Sequence, residues 1–127
     1  MRCDTILVIE DDPAIREALC LILETEGYEV KAAENGQAGL AALSSSCGPC
    51  LILLDLMMPV MNGFEFLTAR ERDVTLVTIP VVIVSAFAES AEHVSSKTQG
   101  FVKKPVNLEL LLDVVRRYCG PPGARAS

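Results

Sequence analysis

The chain is organised around Leu51-Ile-Leu-Leu-Asp55-Leu-Met-Met-Pro59-Val-Met-Asn-Gly63, in which four consecutive aliphatic residues run directly into one carboxylate. Such a run lacks the apolar and polar alternation of a half-exposed strand, which is typical of a strand buried on both faces in a parallel sheet. Asp55 then lies at the carboxyl end of the strand, the edge where ligands bind in open α/β sheets. On this stretch alone, Asp55 could equally start a turn before Pro59.

Length and composition narrow the possible classes of protein. The chain has 127 residues, of which 50% are hydrophobic and 22% charged, which fits one globular domain. The net charge of -6 and the lack of a Lys/Arg cluster argue against direct nucleic-acid binding. No apolar run approaches the length of about 20 residues that spans a bilayer, and the N-terminus lacks a signal-peptide pattern. We therefore expect a cytoplasmic protein without membrane insertion, whose five cysteines are reduced thiols.

A second apolar run also ends in carboxylates. Thr5-Ile-Leu-Val-Ile-Glu10 reads as a short buried strand and is followed by Asp11-Asp12-Pro13. Asp12 before Pro13 is typical of a helix start, since Asp is a favoured N-cap and Pro a favoured first helical residue. A cap accounts for one Asp only, whereas Glu10 and Asp11 add like-charge repulsion that a structural turn does not need. The cluster therefore favours a functional site.

Three further strands are predicted at Tyr28–Ala32, Pro80–Ser85 and Gly100–Lys104, with helical patterns between the runs. Strand and helix alternate five times, which predicts an α/β fold: a doubly wound, five-stranded parallel sheet with helices on both faces. Residues 1–119 are assigned to one domain and residues 120–127 to a disordered tail.

Right-handed crossovers bring the carboxyl ends of all strands to one edge of the sheet. That edge is predicted to collect Asp11, Asp12, Asp55, Ser85 and Lys104. Three carboxylates repel one another unless a hard cation neutralises them, so the site implies Mg²⁺ or Mn²⁺. A hydroxyl and an ammonium group suit an incoming phosphoryl group, and Asp55 is the natural nucleophile for an acyl phosphate.

The chain resembles the receiver domain of two-component response regulators over residues 5–118, which implies the (βα)5 flavodoxin-like receiver fold. The resemblance rests on four sets of residues: Glu10-Asp11-Asp12-Pro13, Leu53-Leu-Asp55-Leu-Met-Met-Pro59 with Asn62-Gly63, Val84-Ser85-Ala86, and Phe101 ahead of Lys104-Pro105.

The resemblance implies that Asp55 accepts a phosphoryl group from a sensor histidine kinase or a phosphotransfer protein. Asp12, Asp55 and the backbone carbonyl of Met57 would ligate Mg²⁺, and Asp11 would hold the metal through water. Lys104 would pair with the phosphoryl group, and the Lys104-Pro105 peptide bond would be cis.

The resemblance also implies how the signal leaves the site. Ser85 would move to hydrogen-bond a phosphoryl oxygen, and Phe101 would swing inward with it, changing the surface around strands 4 and 5. The output would be a downstream protein target or a fused output domain. Such a protein is a switch rather than an enzyme, because it catalyses only its own phosphorylation and slow dephosphorylation. The chain departs from the family pattern in the segment between Ser85 and Phe101, which is shorter than usual.

The main alternative is a redox or protein-interaction module built on Cys47-Gly-Pro-Cys50, which has the thioredoxin sequence. A reactive pair of this kind opens a helix whose positive end lowers the thiol pKa, whereas this pair follows a helix and enters a strand. Cys50 also precedes Asp55 by roughly 16 Å of extended chain, so it belongs to the opposite edge of the sheet. A hydrolase of the aspartyl-phosphate type would need a second Asp at the position of Met57.

Overall fold

A computed structural model describes residues 5–44, 49–56, 62–74, 76–86 and 100–120. Several predictions fall outside these ranges. They are the metal ligand at Met57, the thiol of Cys47, most of the shortened segment before Phe101, and the tail beyond Gly120.

Five parallel strands form one sheet in the order β2-β1-β3-β4-β5. The central strand β3 is the aliphatic run before Asp55, and all four of its residues are buried. The predicted five-stranded parallel sheet is therefore confirmed. The strands are β1 (Thr5–Ile9), β2 (Glu29–Ala33), β3 (Leu51–Leu54), β4 (Val81–Ser85) and β5 (Gly100–Lys103).

Side chains at the start of the helices accept hydrogen bonds from backbone amides of the first turn. Asp12 caps the first helix by accepting hydrogen bonds from the amides of Ala14 and Ile15, as predicted. Asn62 and Glu65 form a capping box at the third helix, and Asn107 caps the last one. The described helices are α1 (Pro13–Thr25), α2 (Gly36–Ser44), α3 (Gly63–Glu71) and α4 (Leu108–Cys119).

Apolar side chains cover both faces of the sheet, because successive residues of a strand point to opposite sides. One core cluster joins the sheet to α1 and α4, and its members include Ile6, Leu23, Leu53, Leu111 and Val115. The other joins the sheet to α2 and α3, and its members include Leu7, Leu43, Leu54, Phe66 and Ile83. This confirms the prediction of helices on both faces.

A disulfide joins Cys50 to Cys119, whose Cα atoms lie 5.4 Å apart. The expectation of reduced thiols was wrong for this pair, because the fold brings together two cysteines that are 69 residues apart in sequence. In this structure Cys50 is therefore bonded to Cys119 and not to Cys47. Within the described ranges, none of the helices is long and apolar enough to cross a membrane.

Candidate functional site

Strand register places the first polar residue after β1 beside the first polar residue after β3. Ile9 pairs with Leu54 at the ends of the two strands, and the Asp55 amide donates to the Ile9 carbonyl at 3.0 Å. Glu10 and Asp55 follow these partners directly. Both carboxylates are buried, with only 1% and 6% of the residue exposed.

Three carboxylates converge at this edge. Oxygen atoms of Glu10, Asp11 and Asp55 all lie within 4.8 Å of one another. Hard oxygen ligands at this spacing are suited to Mg²⁺, which prefers carboxylates, carbonyls and water. The chemistry of these donors therefore fits the predicted divalent metal.

Asp12, which is predicted from the sequence to be a metal ligand, is not a member of this group. Its Oδ1 atom accepts hydrogen bonds from the amides of Ala14 and Ile15 at 2.9 and 3.3 Å, so the carboxylate faces the first turn of α1. Glu10 takes the place expected for Asp12. The geometry therefore favours Glu10 and Asp11 as the acidic pair after β1, where the sequence predicts Asp11 and Asp12.

Lys104 brings the positive charge to the cluster. Its Nζ atom lies 2.5 Å from Oε1 of Glu10 and 3.6 Å from Oδ2 of Asp55. The backbone amide of Lys104 donates to the carbonyl of Ser85 at 2.9 Å, which fixes the chain leaving β5 against the end of β4. The Lys104-Pro105 peptide bond is cis, as the resemblance implied. Lys103 is exposed.

Burial raises the pKa of Glu10 to about 7, against the hydrogen bonds from Lys104 and from the Asp12 amide and despite the attraction of the Lys104 charge. The negative charge of Asp55 is a second, smaller cause of this raised pKa. A carboxylate removed from water is costly to ionise unless a cation compensates for the lost hydration. The site therefore holds more negative charge than one lysine neutralises, which favours a second cation.

The two predicted switch residues lie on neighbouring strands. Ser85 ends β4 and is fully buried, at 0% exposure. Phe101 is in β5, pairs in register with Ile83, and is partly buried against the core cluster on the α2 and α3 side. Ser85 is therefore adjacent to the Lys104 backbone. Phe101 lies opposite Ile83, two residues before Ser85 in β4.

Two further residues position the site: Arg16 was not singled out in the sequence, and Gly63 was named there only as part of the family resemblance. The guanidinium of Arg16 donates to the backbone carbonyls of Glu10 and Asp11 at 2.9 and 3.4 Å, which fixes the loop after β1. Gly63 donates its amide to the Leu56 carbonyl at 2.9 Å. A Cβ atom on Gly63 would lie 2.6 Å from the Asp55 carbonyl oxygen, so only glycine fits without displacing that backbone.

A family model for the response regulator receiver domain matches residues 6–116. The chain belongs to this family. Among similar curated proteins, PilH of Pseudomonas aeruginosa is 35% identical, and the match covers 87% of this chain and 93% of PilH. The DNA-binding transcriptional regulator RpaA of Synechocystis is 36% identical, but the match covers only 47% of RpaA. The chain therefore spans nearly the whole length of PilH but only about half the length of RpaA.

Solved receiver structures have the same fold. Chemotaxis protein CheY4 of Vibrio cholerae has a TM-score of 0.81 at 29% identity, and the match covers 90% of this chain and 97% of that one. TrrA of Thermotoga maritima, solved in complex with Mg²⁺ and BeF, has a TM-score of 0.81 at 30% identity, and the match covers 91% and 99% of the two chains.

Proposed function

We propose that this receiver domain is a cytoplasmic, phosphorylation-activated signalling switch in which Asp55 accepts a phosphoryl group from a histidine kinase or a phosphotransfer protein. The observation that carries the proposal is the placement of the Asp55 carboxylate. It is buried at the end of the central strand, beside two further carboxylates and 3.6 Å from the ammonium group of Lys104. A nucleophile between a metal-binding cluster and a fixed cation is suited to phosphoryl transfer.

The proposed metal ligands are the side chains of Glu10, Asp11 and Asp55. Mg²⁺, or Mn²⁺ in its place, would offset the repulsion among the carboxylates and the charge of an incoming phosphoryl group. Glu10 replaces Asp12 in the predicted ligand set, because the Asp12 carboxylate caps α1. The backbone carbonyl of Met57 stays a predicted ligand outside the described residues. The Thermotoga maritima protein, solved in complex with Mg²⁺ and BeF, supports a Mg²⁺ site in this domain by similarity.

The chemistry uses the chain's own side chains. A carboxylate oxygen of Asp55 attacks phosphorus, the bond from phosphorus to the histidine nitrogen of the donor breaks, and the imidazole leaves with the bonding electrons. Lys104 then exchanges part of its interaction with Glu10 for a phosphoryl oxygen. Because the backbone amide of Lys104 donates a hydrogen bond to the Ser85 carbonyl, this lysine links the reacting group to β4 and β5.

The proposed output begins at Ser85 and Phe101. The Ser85 hydroxyl turns toward a phosphoryl oxygen, Phe101 moves inward, and the surface formed by β4, β5 and the adjoining helix changes. A downstream protein target or a fused output domain responds to that surface, without direct contact between this domain and nucleic acid. The domain turns over only its own phosphoryl group, so it acts as a switch and not as an enzyme on external substrates.

Intact mass spectrometry tests the proposal. The full chain is incubated with Mg²⁺ and acetyl phosphate, alongside the Asp55→Asn variant and a sample containing a chelator. We expect the wild type to gain one phosphoryl group, and we expect no gain in the variant or without metal. A wild type that stays unmodified, or an Asp55→Asn variant that is modified equally, would contradict the assignment of Asp55.

A further inference from the structure

The disulfide between Cys50 and Cys119 lies at the edge of the sheet opposite the carboxylates. Cys50 directly precedes β3, and Cys119 is the last residue of α4. Their Cα atoms are 5.4 Å apart, within the range of roughly 4.4–6.8 Å that disulfides require. Both residues are almost fully buried. The backbone itself therefore places these two cysteines at bonding distance.

The segment from Lys104 to Cys119 contacts both ends of β3. At the carboxyl end of the strand, Lys104 lies beside Asp55, and at the amino end Cys119 is bonded to Cys50. The disulfide is therefore separate from the phosphoryl site, although it holds the same helix. Its state determines whether α4 is attached covalently to the sheet.

The other interactions of the last turn of α4 are noncovalent. The Tyr28 hydroxyl donates to the Gly120 carbonyl at 2.8 Å. Arg116 forms an ion pair with Glu26 at 3.1 Å, but both side chains are substantially exposed, and such pairs stabilise a fold little. Apart from the disulfide, this turn is held by contacts of this kind, by Tyr118, which packs against the core cluster, and by the burial of Cys119.

The preceding part of α4 is held differently. Leu111 and Val115 are fully buried in the core cluster that α4 shares with α1 and the sheet. Their burial does not depend on the disulfide between Cys50 and Cys119. Loss of the disulfide is therefore expected to loosen the last turn and to leave the rest of the helix packed.

We propose that Cys50 and Cys119 form a reversible thiol–disulfide site, at which a dithiol reductant releases the last turn of α4 from β3. A thiolate of the reductant attacks one of the two sulfurs, and the bond between Cys50 and Cys119 breaks. The second thiol of the reductant then closes its own disulfide. Two electrons pass to the chain, and two protons restore the thiols of Cys50 and Cys119. Fraying of the helix end gives the reductant access to the buried sulfurs.

Peptide mapping tests the pairing. The full chain, prepared without reductant, is alkylated under denaturing conditions and digested, and a second sample is first treated with dithiothreitol. We expect one cross-linked peptide pair containing Cys50 and Cys119, and alkylation of both residues after reduction. A cross-link between Cys47 and Cys50, or a Cys50 thiol that is free before reduction, would overturn the proposal.

Hydrogen exchange tests the release. The oxidised and reduced full chains are compared without Mg²⁺ or phosphodonor, so the result does not depend on the proposed phosphorylation. We expect amides of residues 116–120 to exchange about tenfold faster after reduction, those of β3 and of residues 111–115 to change little, and reoxidation to restore protection. Unchanged protection would show that the bond constrains nothing, and loss of protection throughout would show a structural staple instead of a switch.

Matched variants complete the hydrogen-exchange experiment. Cys119→Ala is expected to show the fast exchange of the reduced chain under both conditions. Cys20→Ala removes a thiol that is unpaired and only partly exposed on α1, and it is expected to respond to reduction as the wild type does. A Cys119→Ala variant that still responds to reduction would assign the effect to another cysteine and overturn the proposal.

Discussion

The ammonium group of Lys104 lies 2.5 Å from the carboxylate of Glu10, which makes this pair the tightest contact that the structure gives at the site. Asp55 is further from the same group, at 3.6 Å. In this structure Lys104 thus serves mainly as the counter-ion of Glu10. A divalent cation on Glu10 would take over that role and leave Lys104 available to the group on Asp55.

Lys104→Met is expected to tighten Mg²⁺ binding several-fold and to lower the free energy of unfolding of the metal-free chain by about 1–3 kcal/mol, because two buried carboxylates lose their cation. Isothermal titration calorimetry and chemical denaturation measure the two effects. Lys103→Met is the matched control, since Lys103 is the exposed neighbour, and it is expected to change neither quantity much. Equal effects of the two variants would contradict the role given to Lys104.

Glu10→Gln is expected to weaken Mg²⁺ binding by about tenfold or more, because it removes one of three converging carboxylates. Asp12→Ala is expected to leave Mg²⁺ affinity nearly unchanged and to destabilise the fold by about 1 kcal/mol, as loss of an N-cap does. Calorimetric titration and thermal unfolding of both variants provide the comparison. If Asp12→Ala lowers the affinity more than Glu10→Gln does, Asp12 and not Glu10 is the metal ligand.

The assignment of Glu10 instead of Asp12 as a metal ligand shows how precisely a sequence pattern locates site residues. Aliphatic runs predicted β1, β3 and β4, because burial on both faces imposes a recognisable composition, whereas alternation of apolar and polar residues predicted the peripheral strand β2. The same runs locate strand ends only to within a residue or so. Glu10, Asp11 and Asp12 all follow the end of β1, so the pattern could not tell which carboxylates face β3. The register of β1 against β3, in which Ile9 pairs with Leu54, places Glu10 beside Asp55.

Contacts between residues distant in sequence were also not predicted. Cys50 and Cys119 are 69 residues apart, and the nearby Cys47 offered a more obvious partner in the sequence. Arg16 was not singled out in the sequence, although its side chain fixes the loop after β1. Its position six residues after Glu10 is the only local signal, because it places the side chain one turn into the helix that follows the carboxylates.

Glu10 is expected to make the metal-free chain less stable as pH rises. Burial raises its pKa from 4.5 to about 7, so between these values the folded chain holds a proton that the unfolded chain has lost. The free energy of unfolding from this group therefore falls as pH rises through that window. Denaturation of wild type and Glu10→Gln in chelator, from pH 4.5 to 8, should show the wild type losing stability relative to the variant. A difference that does not change with pH would rule out this titration.

Gly63→Ala is expected to destabilise the fold by about 1–3 kcal/mol and to slow phosphorylation of Asp55, because the new Cβ atom would displace the backbone that carries the nucleophile. Its nearest contacts would be the Asp55 carbonyl oxygen at 2.6 Å and the Leu56 Cα atom at 2.7 Å, and neither can move away as a side-chain tip can.

Gly100→Ala is the matched control for Gly63→Ala. A Cβ atom there would meet only Val82 Cγ2 at 3.7 Å, an ordinary contact. Thermal unfolding and the rate of phosphoryl uptake from acetyl phosphate are compared for the two variants. A Gly63→Ala protein as stable and as rapidly phosphorylated as Gly100→Ala would show that the loop after β3 relaxes freely. In that case the close approach of Gly63 would not hold Asp55 in place.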